Sequence, residues 1–264
     1  MGVVKLLGRH IYYSASPAMQ SAAFAALELD HRYELADVPV DGLPGAVATL
    51  RDDDCLGANV TVPHKGALVA LLDEVNPLGR RAQAVNTIVH RRGRLIGSNT
   101  DIPAIADEIK RLRPEPRNAV VLGAGGAARA VCLALEMTGM EQATLVSRAG
   151  REGAVAWDQL PELLTTADLL INATPVGTDS EDTPVPAALL HQPLAVLDLV
   201  YRPSPTRLVS EAREAGLPAS GGAGVLLGQG WRSLEAWLGK SISRGVLEVM
   251  AQALREELGE DADV

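Results

Sequence analysis

Ala119-Val120-Val121-Leu122-Gly123-Ala124-Gly125-Gly126-Ala127-Ala128 carries more topological information than any other run in the chain. Four apolar residues of strand character pass directly into Gly123-Ala124-Gly125-Gly126-Ala127-Ala128, which fits G-x-G-x-x-G/A at the passage from a strand to a helix. Each small residue has a separate job. A tight turn needs Gly123, close approach of backbone to a pyrophosphate needs Gly125, and a small side chain at Ala128 lets the helix press on the sheet. The helix N-terminus then offers N–H groups and a positive dipole end to the phosphates. A glycine-rich turn that only packs a helix closely would look similar. The strand–turn–helix setting favours dinucleotide binding.

Which dinucleotide is expected depends on the end of the next strand. A site for NAD places Asp or Glu there to accept the ribose 2′-hydroxyl. Here the strand Ala143-Thr144-Leu145-Val146 ends in Ser147-Arg148, with no acid. A guanidinium at Arg148, helped by Ser147, suits the 2′-phosphate of NADP.

Outward from this turn, strand-like and helix-like segments alternate, the pattern of an α/β chain with covered parallel sheets. Downstream, 169–173 and 196–200 read as buried strands, and 207–215, 230–238 and 244–258 as helices. On the last helix Val246, Val249, Met250, Ala253 and Leu254 share a face that must pack on something. Upstream, 3–7, 31–38 and 58–62 read as strands. Residues 17–27, 43–50, 64–75 and 102–112 read as helices, and 85–98 as a hairpin about Arg91-Arg92-Gly93. The charged, proline-rich Arg113-Pro114-Glu115-Pro116-Arg117 reads as a domain boundary. Two lobes are therefore expected: 1–112 with 240–264, and a Rossmann-like lobe over 113–239.

Composition narrows the function further. The chain has 264 residues, 24 Lys+Arg against 33 Asp+Glu, and a net charge of -9, which disfavours nucleic acid or an anionic membrane as partner. With 47% apolar residues but one Phe, three Trp and four Tyr, the core must be aliphatic. Cys55 and Cys132 lie too far apart for a metal knuckle or a CxxC, so no metal is expected. No leader or membrane span is legible, and the reading is a cytoplasmic protein of a reducing compartment.

Four short polar stretches punctuate the first lobe: Ser14-Ala15-Ser16-Pro17, Asn59-Val60-Thr61-Val62-Pro63-His64-Lys65, Ala84-Val85-Asn86-Thr87 and Asn99-Thr100-Asp101. Singly, each has an ordinary explanation, with Ser16 or Asp101 capping a helix and Lys65 solvated in a first turn. Together, with the glycine turn, Ile171-Asn172-Ala173-Thr174-Pro175, Asp198-Leu199-Val200-Tyr201, and Gln229-Gly230 before Trp237 and Gly239, they resemble the shikimate dehydrogenase family along essentially the whole chain.

That resemblance implies a substrate lobe, an NADP lobe, and a last helix returning to the first lobe. It implies reduction of 3-dehydroshikimate to shikimate with NADPH, on the way to chorismate and aromatic amino acids. It assigns acid–base catalysis to Lys65 with Asp101 as its partner, and it assigns the substrate carboxylate to Ser14 and Ser16 with Tyr201. Thr61, Asn86, Asp101 and Gln229 would bind hydroxyls. Gly123, Ala124, Gly125, Gly126, Ala127, Ser147, Arg148, Leu199 and Gly222 would hold NADP. The partner is then a small molecule, and the protein a monomer or homodimer.

The chain departs from the family's usual residues at Tyr13, Gln20-Ser21, Ser147 and Val225. A paralogue acting on quinate or an aminoshikimate stays open, as does a non-catalytic metabolite sensor, although intact Lys65 and Asp101 weigh against the sensor. Dehydrogenases that use Tyr-x-x-x-Lys are disfavoured, because no Tyr here precedes Lys by four residues.

One gap stands out. Only Ala149-Gly150-Arg151-Glu152-Gly153 separate Arg148 from the next strand-like run, 154–157. A parallel crossover ordinarily takes a dozen residues or more. The expectation is a missing crossover helix, with 154–157 a loop or an antiparallel edge strand, and Trp157 covering that edge.

Overall fold

The computed structural model of the chain describes residues 1–140, 143–148 and 153–264. It divides into two compact units, Met1–Thr100 with Leu227–Glu257, and Asp101–Leu226 with Leu258–Val264. The divisions fall at Thr100 and Leu227, not after residues 112 and 239.

In the first unit the elements run β1 (Gly2–Gly8), α1 (Ser16–Ala26), β2 (His31–Asp37), α2 (Leu43–Ala48), β3 (Cys55–Val60), β4 (Glu74–Val75), α3 (Pro77–Ala82), β5 (Thr87–Arg91) and β6 (Arg94–Ser98). Their sheet has the order β2-β1-β3-β5-β6-β4. It is mixed rather than parallel: β1 pairs parallel with β2 and β3, whereas β5 is antiparallel to both β3 and β6. The cause is local. Arg92 and Gly93 have φ of 52° and 77°, the left-handed pair that a two-residue hairpin turn requires.

Residues 64–75, expected as a helix, instead form turns, one short 3-10 segment at Ala67–Ala70, and β4. Pairing of Glu74 with Ile96 and Val75 with Gly97 draws that end into the sheet. Asp73 fixes the approach. Its carboxylate accepts from Arg51 and from the Leu95 N–H, and these hold its pKa down to about 2.

The second unit contains α4 (Asp101–Leu112), β7 (Ala119–Leu122), α5 (Gly126–Met137), β8 (Thr144–Ser147), β9 (Val155–Ala156), α6 (Leu160–Leu164), β10 (Leu169–Asn172), β11 (Ala195–Asp198), α7 (Arg207–Glu214) and β12 (Ala219–Ser220). The sheet order is β12-β11-β10-β7-β8-β9 with every pair parallel. Counted from β7, this is the 3-2-1-4-5-6 order of a doubly wound dinucleotide fold. Val120, Leu122, Val146, Leu170 and Val196 from the strands pack with Leu160, Leu164, Leu208 and Leu217 into one core.

Helix α4 belongs here because its buried stripe, Ile102, Ile105, Ala106 and Ile109, lies against α5. The proline-rich stretch is consequently a link inside this unit. Asp168 pins it by accepting the Arg117 and Asn118 N–H groups and pairing with Arg113 at 3.3 Å.

The segment after β8 also differs from expectation. β9 is an edge strand, but a parallel one, with Val146 opposite Val155 and Ser147 opposite Ala156. Two paired residues need a return of only about 7 Å, which a link shorter than a full crossover can span. The missing crossover helix itself concerns residues 149–152, which lie outside the described residues.

Two helices close the chain, α8 (Ala223–Leu238), which is longer than the expected 230–238, and α9 (Arg244–Leu258). α9 buries Val246, Met250, Ala251 and Leu254 in the first unit, while Val249 is 39% exposed. Among the described residues no helix is long and apolar enough to cross a membrane.

Candidate active site

The turn after β7 has the conformation its glycines were expected to serve. Gly123 sits at φ +109°, and a Cβ there would lie 3.0 Å from the Ala173 carbonyl oxygen at the end of β10. The turn therefore nestles at the switch point between β7 and β10, the crevice at the carboxyl ends of the strands where doubly wound sheets bind ligands. Gly125 is the residue before α5 and makes no side-chain cap. A Cβ on Gly125 or Gly126 would meet nothing within 4 Å, so both face open space. Ala128, by contrast, is fully buried against the sheet. Gly125, Gly126 and Ala127 are exposed at the helix start, where their backbone can approach a pyrophosphate.

At the end of β8, Ser147 is buried and Arg148 exposed. The Arg148 guanidinium carbon lies 5.9 Å from the centroid of the Trp157 ring, a cation–π contact. A cradle open at two glycines and a cation where an NAD site carries an acid fit a phosphorylated dinucleotide.

Beside that crevice, β10 and β11 end in register at Asn172 and Asp198. Asp198 is fully buried, and its carboxylate accepts from Asn172 Nδ2 (2.8 Å), the Val200 N–H (3.0 Å) and Thr206 Oγ1 (2.8 Å). Burial pushes its pKa up from 3.8 to about 6, against the pull of those three donors. Asn172 Oδ1 in turn accepts from the Thr174 N–H and hydroxyl. This network fixes the strand-end loops that carry Leu199 and Tyr201. Gly222 lies against the same loop. Its N–H donates to Val200 O, and a Cβ there would collide with Leu199 O.

In the first unit the polar stretches are held by separate hydrogen bonds. Ser14 Oγ accepts from the Ser16 N–H at 3.3 Å, and Ser16 is the first residue of α1, not its cap, which is Ala15. Asn86 is buried, donating to Thr100 Oγ1 at 2.9 Å and to Gln229 Oε1 at 3.4 Å and accepting from the Thr100 N–H at 2.7 Å. Thus Asn86 and Gln229, far apart in sequence, meet.

Thr61 and Lys65 bracket one turn, in which the His64 N–H donates to Thr61 O. His64 is 1% exposed and its ring meets Val38 O at 2.8 Å, while the Val85 N–H donates to Lys65 O at 2.9 Å. The Lys65 backbone is therefore clamped and its side chain half-buried. Asp101 opens α4 as the first residue of the second unit.

Two supporting residues escaped the sequence reading. His64 anchors the lysine turn, and its place between Pro63 and Lys65 was the available signal. Ser233 is fully buried on α8, one turn beyond Gln229. It meets Asn59 Nδ2 at 3.0 Å and Thr87 Oγ1 at 2.8 Å, and it donates to Gln229 O at 2.9 Å. Nothing in its local sequence marks it apart from that one-turn spacing.

A doubly wound sheet with this turn marks a dinucleotide-binding unit, and the hydrogen-bonded cluster of Asn86, Thr100 and Gln229 in the other unit suits a small, hydroxyl-rich ligand. Residues 6–88 match the family model described as the shikimate dehydrogenase substrate binding domain. A shikimate dehydrogenase (NADP(+)) of Symbiobacterium thermophilum is 42% identical, with 95% of this chain and 92% of that protein covered. One from Methanopyrus kandleri is 38% identical over 97% and 96%. The crystal structure of a Thermus thermophilus shikimate 5-dehydrogenase in complex with NADP(H) and shikimate superposes with a TM-score of 0.88 at 36% identity, covering 98% of this chain and all of that one. The chain belongs to the shikimate dehydrogenase family and is an NADP-dependent oxidoreductase.

Proposed function

We propose that the protein interconverts shikimate and 3-dehydroshikimate with NADP, reducing the ketone in the direction of aromatic amino acid biosynthesis. The observation that carries this reading is the likeness, over 98% of the chain, to a structure holding NADP(H) and shikimate together. The open glycine cradle and Arg148 support the same cofactor. NADPH supplies the hydride when bound. The chain must bind the acid, orient the ketone and deliver one proton.

Lys65 delivers that proton to the carbonyl oxygen as the carbon accepts hydride, and in the reverse direction it takes the hydroxyl proton. Asp101 is its acid–base partner in this reading, the role that the family resemblance gives it. Ser14, Ser16 and Tyr201 take the substrate carboxylate. Thr61, Asn86, Asp101 and Gln229 take hydroxyls, and such polar groups reject analogues lacking the hydroxyl because they would be left unpaired. Leu199 and Gly222 complete the cofactor site with Gly123, Ala124, Gly125, Gly126, Ala127, Ser147 and Arg148.

The test is Lys65→Ala. A general acid–base group contributes typically ~10²–10⁴-fold, so kcat should fall within that range while shikimate affinity, read by calorimetry, stays near normal. Near-normal kcat would remove Lys65 from the chemistry.

A further inference from the structure

We propose that Trp157 is a positioning residue for cofactor choice: its indole holds the Arg148 guanidinium at the end of β8, poised for the 2′-phosphate that distinguishes NADP from NAD. This rests on the NADP reading above and deepens it.

The contact follows from sheet register. Val146 faces Val155 and Ser147 faces Ala156 across a parallel pair, so Arg148 and Trp157 are the next positions on neighbouring strands. Trp157 is anchored, because it is only partly exposed and packs on the core cluster containing Val146 and Leu160. It also opens the short 3-10 turn Trp157–Gln159 that leads into α6. Arg148 is exposed, on the turn that ends β8. An arginine there has many rotamers, and selecting one on ligand binding costs side-chain entropy. A ring face 5.9 Å away removes part of that cost in advance. A guanidinium over a ring face can still present its N–H fork, the geometry a phosphate accepts in bidentate fashion. The 2′-hydroxyl of NAD offers no such anion, so the arrangement helps one cofactor and not the other.

A tryptophan that merely covered the sheet edge would behave differently. Its loss would lower stability and weaken both dinucleotides alike.

The test is calorimetric measurement of NADP and NAD dissociation constants for the wild type, Trp157→Leu, Trp157→Phe and Arg148→Ala, and for Trp157→Leu combined with Arg148→Ala. Cation–π contacts of this exposure correspond to about two- to fivefold in affinity. Trp157→Leu should therefore weaken NADP by about that factor and leave NAD unchanged, with Trp157→Phe retaining most of the affinity. In the Arg148→Ala background, Trp157→Leu should have no further effect. If the Leu variant fails to fold, Trp157→Met takes its place, judged on the same NADP-to-NAD ratio. Equal weakening of both cofactors, or an undiminished effect without Arg148, would overturn the inference alone. A wild type that binds NAD more tightly than NADP would overturn the cofactor reading and this inference together.

Discussion

Replacing Asp198 by Asn should change how stability depends on pH. The carboxylate is fully buried, and its pKa is pushed from 3.8 to about 6 by that burial. The difference, 6 − 3.8 = 2.2, corresponds to about 3 kcal/mol at 1.36 kcal/mol per unit. Since the folded value is raised, the protonated group's stabilising contribution is fully present below 3.8 and is lost as pH rises through about 6. An Asn side chain does not titrate.

Its Oδ1 can accept from Asn172 Nδ2 and Val200 N–H as Asp198 Oδ1 does now, but its Nδ2 would face Thr206 Oγ1. That hydroxyl would lose its acceptor, at a cost of about 1–3 kcal/mol that does not vary with pH. The wild-type stability minus that of Asp198→Asn should therefore fall by about 2–3 kcal/mol between about pH 4 and about pH 7. Urea unfolding of both proteins across that range, followed by circular dichroism, reads it directly. Parallel stability curves would refute the reasoning and place the charge in a better-solvated or better-paired site than the geometry allows.

Other perturbations follow from particular contacts. Arg148→Ala should weaken NADP by roughly 10- to 100-fold, the worth of a charge-assisted pair, with little change for NAD in the same titration. Gly123→Ala forces a Cβ into a φ of +109° at 3.0 Å from Ala173 O, a strain of about 1–3 kcal/mol. Both a lower urea midpoint and weaker NADP binding are expected. Ser233→Ala strips a fully buried partner from Asn59, Thr87 and Gln229. Unfolding should become easier by about 1–3 kcal/mol, and KM for shikimate should rise more than kcat falls.

Local sterics made part of this molecule readable in advance. The glycine turn could be placed from residues 119–128 because a strand, a positive-φ glycine and a helix start are all encoded within ten positions. The Arg92-Gly93 hairpin was legible for the same reason. What sequence could not supply was partner choice over long range. The apolar stripe of α4 is plain, yet that it lies on α5, which moves the unit boundary to Thr100, depends on tertiary packing. Residues 64–75 carry enough Leu, Val and Ala to suggest a helix, but pairing of Glu74 and Val75 with β6 outweighs that propensity. The short link after Arg148 suggested an antiparallel strand because crossovers are usually long, whereas a two-residue parallel bridge needs little chain. At the site, Asn86 and Gln229 could be singled out by type, but their meeting, and the role of Ser233 beneath them, appear only in the fold.

Joint recognition of shikimate and NADP by this chain is the central claim. Initial rates of dinucleotide reduction, with shikimate or quinate each paired with NADP or NAD, test it most directly. Shikimate with NADP should give the highest kcat/KM of the four combinations. Exchange of either component should lower it, by about tenfold or more where a matched hydroxyl or phosphate contact is lost. Turnover that is equal for shikimate and quinate, faster with NAD, or absent from all four would contradict it.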